Sequence, residues 1–458
     1  MTHNQKKGKQ PGIIWRYSGK KGAPRILGIN PWIYDFAAYN VWTRPVGLLC
    51  CLEMLGRAGA DTALVDFMDR ELDPDHWPDP RKTGQGHYPK TALPRPYALK
   101  TVPRQFSRYG ADTKRVREVL SSICPEPDLI LVTSLMTYWY PGVISCIRLL
   151  KEIFPRTPVI LGGIYATLCH EHALNSGADL VISGPLERPD NWRKLWKLLG
   201  QDQVSIPENS GIKPDTSFYA RPDFSIIMTS RGCPFKCPYC ASSKLYPRFR
   251  QADPESVIEH VRQEYERGVR DFSFYDDALL INPESVLYPL LEYIIDNDLV
   301  LRLHAPNALH IRYLTPRTCR LLKKAGLETI RLGLETTDFS NRLDSKLGPG
   351  EWHRGISNLL EAGFVRQDLV VYILAGLPGQ TKHELEISIS QCLKVGLRPE
   401  LNYYSPIPET VMFEQAREYS DYPLEEPLWH NTSVWPCVKG GFSWDEQKYW
   451  KEKIRGRP

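Results

Sequence analysis

The chain has no apolar run approaching the length that spans a bilayer, and residues 1–6 lack the apolar core of a secretory signal. A membrane role is therefore not expected, and a cytoplasmic location is. It also lacks a dominant charge. Over 458 residues, 58 Lys and Arg against 53 Asp and Glu leave a formal net charge of +5, and part of that excess sits in two terminal tails, 6–9 and 451–457. No basic stripe with interleaved aromatics marks a nucleic-acid surface, so a nucleic-acid partner is not expected. A disulfide framework is missing as well: the 11 cysteines are odd in number and scattered, which fits a reducing compartment. Eight of them, Cys50, Cys51, Cys124, Cys146, Cys169, Cys319, Cys392 and Cys437, stand mostly among Leu, Ile and Val, where free cysteine behaves as a small buried hydrophobe.

The remaining three are crowded together in Gly232-Cys233-Pro234-Phe235-Lys236-Cys237-Pro238-Tyr239-Cys240, a C-x3-C-x2-C spacing just after an apolar run, 225–229. A loop of this kind can turn three thiolates toward one soft metal centre, as in iron-sulfur proteins. No fourth cysteine follows at ferredoxin-like spacing. If the ligand is a 4Fe-4S cluster, one iron is left open to bind a small molecule. Two other readings exist: zinc held with a histidine, although structural zinc sites usually add a second C-x2-C pair, and a thioredoxin-like redox pair, Cys237 and Cys240.

At these residues the sequence resembles the radical S-adenosylmethionine (radical SAM) enzymes, whose motif has this spacing and an aromatic, here Tyr239, before the last cysteine. The resemblance implies that Cys233, Cys237 and Cys240 hold three irons of a 4Fe-4S cluster while SAM chelates the fourth. Reductive cleavage of SAM would then yield a deoxyadenosyl radical, with the protein orienting and shielding the cofactor.

From residue 25 short apolar runs alternate with helix-length amphipathic stretches. The runs are 25–30, 62–66, 128–133, 158–162 and 179–183, and the helices 47–59, 113–123, 141–154 and 165–176. This predicts a doubly wound parallel sheet, flavodoxin-like, over 25–200, with ligands at the carboxyl ends of its strands. Those ends carry Asn30-Pro31, Asp66-Phe67, Thr133-Ser134 and Gly162-Gly163-Ile164-Tyr165. The layout resembles the cobalamin-binding domain that precedes many radical SAM domains, but the D-x-H-x-x-G motif that supplies a cobalt-ligating histidine is absent. Cobalamin binding stays open at this stage. Cys169-His170-Glu171-His172 is expected to be helix surface rather than a metal site, since residues two apart on a helix point in different directions. The proline-rich stretch 72–109 reads as a long irregular segment, expected to cover the cofactor crevice or face the second domain.

A polar linker, 201–221, is expected next, and then six strand-helix units over 222–412, a partial (βα)6 TIM-type barrel with its chemistry at the carboxyl ends of the strands. The strands are 224–229, 271–275, 301–305, 329–334, 369–374 and 400–404. Their ends carry Tyr275, Asp276 and Asp277; Asn307; Glu335; and Gly376-Leu377-Pro378-Gly379. In radical SAM relatives the matching groups contact SAM, which nominates Tyr239, Tyr275, Asp276, Asp277, Asn307, Glu335, Gly376, Pro378 and Gly379 as cofactor-binding. The basic tail 1–24 is expected to be disordered. The extension 413–458, dense in aromatics, is expected to pack across the barrel or to form a lid.

The resulting expectation is a radical SAM enzyme that uses SAM, a 4Fe-4S cluster and, if the first domain is occupied, cobalamin for methyl transfer. Its partners would be a small-molecule or peptide substrate and an electron donor such as flavodoxin or ferredoxin. The rival reading is a non-catalytic iron-sulfur or metal-binding sensor or interaction protein.

Overall fold

The computed structural model describes residues 13–201, 203–208, 211–434 and 444–456. The chain divides into two units. One comprises 1–81, 85–96 and 103–222, the other 82–84, 97–102 and 223–458. Among the described residues no helix is long and apolar enough to cross a membrane.

The first unit is built on a six-stranded sheet. Its strands are β1 (Trp15–Arg16), β2 (Arg25–Asn30), β3 (Asp61–Asp66), β4 (Leu129–Val132), β5 (Val159–Leu161) and β6 (Leu180–Val181), in the spatial order β1-β3-β2-β4-β5-β6. All neighbours are parallel except β1, which pairs antiparallel with β3 at the edge. Without β1 this is the flavodoxin-like order, which places a switch point between β2 and β4. The middle of each central strand is apolar because both faces are covered. Leu27, Ile29, Ala63, Val65, Ile130 and Val132 pack with helices Thr113–Ser121 and Tyr140–Ile153. On the other face helix Val46–Ala58 lies so close over β2 that a Cβ on Gly28 would come within 2.8 Å of Leu52 Cδ1.

Two sequence expectations are corrected here. The stretch 72–109 is not irregular throughout: Lys90–Leu93 and Phe106–Tyr109 form an antiparallel three-stranded sheet with Ile33–Asp35, the segment that follows β2. The stretch 201–221 is not a free linker. Tyr219 is buried in the first unit with its hydroxyl donating to Asp66 Oδ2 at 2.8 Å, and residues through 222 belong to that unit.

The second unit holds six parallel strands in sequential order: β7 (Ser225–Ile227), β8 (Asp271–Phe274), β9 (Arg302–Leu309), β10 (Leu327–Glu335), β11 (Leu369–Ala375) and β12 (Arg398–Tyr403). This is the partial barrel expected. Helix starts follow ordinary capping rules: Pro254, Pro316 and Pro349 occupy first turns, and Thr381 makes a reciprocal capping box with Glu384. At the amino ends of the strands, Asp271 accepts from His304 Nε2 at 3.0 Å and Arg302 Nε at 2.7 Å. This cluster supports the barrel floor.

In the aromatic extension, Tyr422 stacks on Trp429 with centroids 3.8 Å apart, and Trp450 of helix Trp444–Ile454 is buried in the barrel core. Trp435, Cys437 and Phe442 lie outside the described residues.

Candidate active site

β7 leads straight into the cysteine loop, and the loop is anchored at both ends. Ser230 and Arg231 pair antiparallel with Gln251 and Arg250. Gly232 turns at φ +84°, and a Cβ there would meet Arg248 O at 3.0 Å and Tyr246 Cβ at 3.2 Å, so the turn demands glycine. Cys233 and Cys237 are half-buried and Cys240 is exposed. Burial pushes the Cys237 thiol up to about 12, so binding a metal there means displacing its proton. Among the described residues no group of three or more His, Cys, Asp or Glu is spaced to share one metal ion. Three thiolates that each take a different iron of a cluster are necessarily set wider apart, and three soft sulfur donors in one loop suit such a cluster.

Tyr239 ties this loop to the end of β10. Its hydroxyl donates to Asp344 Oδ2 at 2.7 Å, and Asp344 is also bonded by Arg342 Nε at 2.9 Å and by the Lys346 amide at 2.9 Å. Arg342 in turn donates to the carbonyl of Leu334 in β10 at 2.7 Å. Lys346 Nζ lies 2.8 Å from Glu335 Oε1. Burial alone would lower the Lys346 ammonium, but Glu335, Cys237 and Asp344 hold it above its ordinary value. Glu335 is itself buried and sits at φ +65°, a left-handed conformation that is strained for a residue with a Cβ. Lys346, Asp344 and Arg342 were not singled out from the sequence. They lie in a polar stretch without regular structure, and only the folded loop reveals their pairing.

The remaining sequence-nominated residues fall into three groups. Asp276 is turned inward: its carboxylate accepts from Thr229 Oγ1 and Ser230 Oγ, both at 2.6 Å, and from the Thr229 amide at 3.1 Å. It braces the chain just before the cysteine loop. Asp277 is exposed and accepts from Ser242 Oγ at 2.8 Å, which links it to the loop's far end. Asn307 Nδ2 reaches the carbonyls of Tyr275 and Asp276 at 3.4 and 3.3 Å. The turn after β11 stands beside the end of β10. There Gly376 (φ +82°) donates its amide to Gln380 Oε1 at 2.8 Å, Pro378 is half-buried, and Gly379 (φ +74°) is exposed.

One more side chain of this region escaped the sequence reading. His310 directly follows β9 and is buried, its ring is stacked on Phe235 of the cysteine loop with centroids 5.1 Å apart, and its Nδ1 has no hydrogen-bond partner. Burial pushes the imidazole down to about 4.

In the first unit the carboxyl ends of β2 and β3 are filled from within. Asn30 Nδ2 donates to Asp66 Oδ1 at 2.6 Å, Tyr219 caps the other carboxylate oxygen, and the Arg44 guanidinium lies 3.7 Å over the Tyr219 ring and 3.1 Å from Asp69. The ends of β4 and β5 differ. Gly163 (φ +93°) approaches so closely that a Cβ would fall 2.5 Å from Ser134 O, while a Cβ on Gly162 would meet nothing within 4 Å. Gly162 therefore leaves free space at the carboxyl end of β5. His170 and His172 point apart, the former to Ala166 O at 3.2 Å and the latter to Tyr165 Oη at 2.6 Å.

Comparison with known proteins gives the same division. The sequence profile of the Radical SAM superfamily matches residues 227–392, and that of the B12 binding domain matches residues 107–190. An uncharacterized methyltransferase of Pyrococcus horikoshii is 22% identical over 332 residues, 64% of this chain and 70% of the relative. The anaerobic magnesium-protoporphyrin IX monomethyl ester cyclase of Cereibacter sphaeroides is 24% identical over 355 residues, 66% of this chain and 56% of the relative. Among solved structures, the radical SAM methyltransferase TsrM of Kitasatospora setae, with cobalamin and a [4Fe-4S] cluster bound, superposes with a TM-score of 0.62 at 15% identity. That match covers 90% of this chain and 81% of TsrM.

Fold and site thus define an α/β enzyme with a three-cysteine loop at the head of a partial barrel and a doubly wound domain before it. The chain carries a Radical SAM domain, matched over residues 227–392, and a B12-binding domain, matched over residues 107–190, ahead of it in the sequence. The cofactor set of those two domains is a 4Fe-4S cluster with SAM, and cobalamin.

Proposed function

We propose that this enzyme is a cobalamin-dependent radical SAM methylase acting on a small-molecule or peptide substrate. The observation that carries the reading is the bonded path from the cysteine loop through Tyr239, Asp344 and Lys346 to Glu335, in a chain that also has a B12-binding domain. The relatives described as methyltransferases support the same class.

In this reading Cys233, Cys237 and Cys240 hold the cluster. Once held there, the cluster would supply the electron for reductive cleavage of SAM, and bound cobalamin would supply the methyl-carrying chemistry. Glu335 and Lys346 present one anion and one cation side by side, complementary to the ammonium and carboxylate of the methionine end of SAM. Asp276, through Thr229 and Ser230, holds the loop's entry. Asp277 holds its exit through Ser242, and Asn307 fixes the backbone of Tyr275 and Asp276. Gly376, Pro378 and Gly379 let the chain approach the adenosyl group without a Cβ at either glycine. Ser134, Gly162 and Gly163, at the carboxyl ends of β4 and β5, would border the cobalamin. The electron comes from a donor of the flavodoxin or ferredoxin type.

The test is SAM affinity of the anaerobically reconstituted enzyme. Lys346→Met should weaken binding by about tenfold, the equivalent of one charge-assisted hydrogen bond. Unchanged affinity contradicts the assignment of Lys346. The cyclase relative favours a second reading, ring closure without methyl transfer. Methyl-labelled SAM separates the two, since only a methylase puts the label into product.

A further inference from the structure

His310 is not used by the reading above, and its surroundings are unusual. The ring is buried, stacked on Phe235, and held from below by a stiff turn. Helix Pro349–Glu361 presses on that turn so tightly that a Cβ on Gly355 would fall 2.5 Å from Ile311 Cγ2. Arg312 is bonded through Nε to both oxygens of Glu351 at 2.9 and 2.8 Å, and Asn358 Nδ2 donates to Leu314 O at 2.7 Å. The imidazole therefore has little freedom to seek a partner elsewhere. Buried polar atoms without a partner are rare and mark either strain or a missing group.

In the tautomer that carries its hydrogen on Nδ1, His310 finds no acceptor among the charged groups that face it. Lys346 and Arg312 are donors only. Asp344 is the one carboxylate among them, and its oxygens already accept from Tyr239, Arg342 and the Lys346 amide. An acceptor for that hydrogen would come with the group held by the cysteine loop, since Phe235, on which the ring rests, stands two residues from both Cys233 and Cys237.

We propose that His310 is a positioning residue for the iron-sulfur cluster: its ring braces Phe235, and its Nδ1 donates a hydrogen bond to a sulfur of the cluster held by Cys233, Cys237 and Cys240. The inference rests on the cluster reading given above. Hydrogen bonds to cluster sulfurs draw off negative charge and raise the reduction potential. Removing the donor should therefore move the cluster's midpoint to a more negative value, an effect a purely structural ring would not produce.

The experiment is a redox titration followed by electron paramagnetic resonance on the reconstituted full chain without SAM. It compares wild type with His310→Phe, which keeps a ring on Phe235 but has no donor, and His310→Gln, which keeps a donor. The expected result is wild-type iron and sulfide content in both variants, a more negative midpoint in His310→Phe, and a smaller shift in His310→Gln. A wild-type midpoint in His310→Phe overturns the proposal. So does a shift that appears only when SAM is added, because the acceptor would then belong to SAM. If His310→Phe fails to keep its cluster, wild-type protein labelled with 15N-histidine decides. Nuclear modulation from a histidine nitrogen at the reduced cluster supports the proposal, and its absence overturns it. A wild-type chain that takes up no iron and sulfide overturns the cluster reading itself, a result distinguishable from all of these.

Discussion

Asp276 gives the sharpest structural prediction. Its carboxylate receives the Thr229 and Ser230 hydroxyls and the Thr229 amide, and Asp276, Thr229 and Ser230 are all buried. Replacing it by alanine leaves three buried donors without an acceptor. At ~1–3 kcal/mol for each stranded group, with the two hydroxyls free to rotate toward carbonyls, the loss is about 4 kcal/mol. For a unit of this size that lowers the melting temperature by roughly 10 °C. Asp276→Asn keeps one acceptor oxygen and should lose about half as much. Differential scanning calorimetry on the wild type and both variants, without cofactors, reads these shifts. The Asp276→Ala protein should also retain less iron after reconstitution, because the entry to the cysteine loop is no longer held. A melting temperature within ~2 °C of wild type would refute the inward bracing role and return Asp276 to the set of residues free to contact SAM.

Two further outcomes are expected. Burial pushes Asp271 upward, but hydrogen bonds from His304 and Arg302 outweigh it and hold the carboxyl below the ordinary value. A folded-state pKa depressed in this way contributes stability that is fully present above the unfolded value of about 3.9 and is lost as pH falls through the folded value. Urea midpoints should therefore fall as pH drops below about 4, and Asp271→Asn should lack that part of the slope; identical slopes would contradict the ion pair. In the first unit, Tyr219→Phe removes the hydroxyl from Asp66 and should cost about 1–2 kcal/mol in the denaturant transition of that unit, whereas an unchanged midpoint would contradict the anchoring of residues 201–222.

Much of the fold is legible in the sequence, for a physical reason. Strands β2 to β6 are largely buried, so each contains an apolar run, and the barrel strands are punctuated by glycines after their helices. What escapes lacks such a pattern. β1 is two residues long, and Lys90–Leu93 is largely exposed, so neither shows apolar alternation. Tyr219 looks like one aromatic in a polar stretch until Asp66 and Arg44 are brought beside it. At the site, the cysteine spacing and the strand ends single out the carboxyl ends of the barrel strands, where catalytic groups in such a barrel collect. The direction of a side chain is another matter. Asp276 turns toward Thr229 and Ser230, more than forty residues earlier in the chain. The Tyr239–Asp344 bond spans a separation of 105 residues. His310 shows no pattern at all, since its significance lies in an atom that finds no partner.

The central claim is that this chain cleaves SAM with a cluster held by Cys233, Cys237 and Cys240 and passes a methyl group with the help of cobalamin. Its most direct test is anaerobic reconstitution followed by reaction with SAM and a strong reductant, with and without cobalamin, in wild type and Cys237→Ala. The account predicts about four irons per wild-type chain, cobalamin retained and visible in the absorbance spectrum, SAM consumed by the wild type, and neither cluster nor SAM turnover in a Cys237→Ala protein that is otherwise folded. SAM turnover retained in Cys237→Ala, or none in a wild-type chain with its cluster fully loaded, would contradict it.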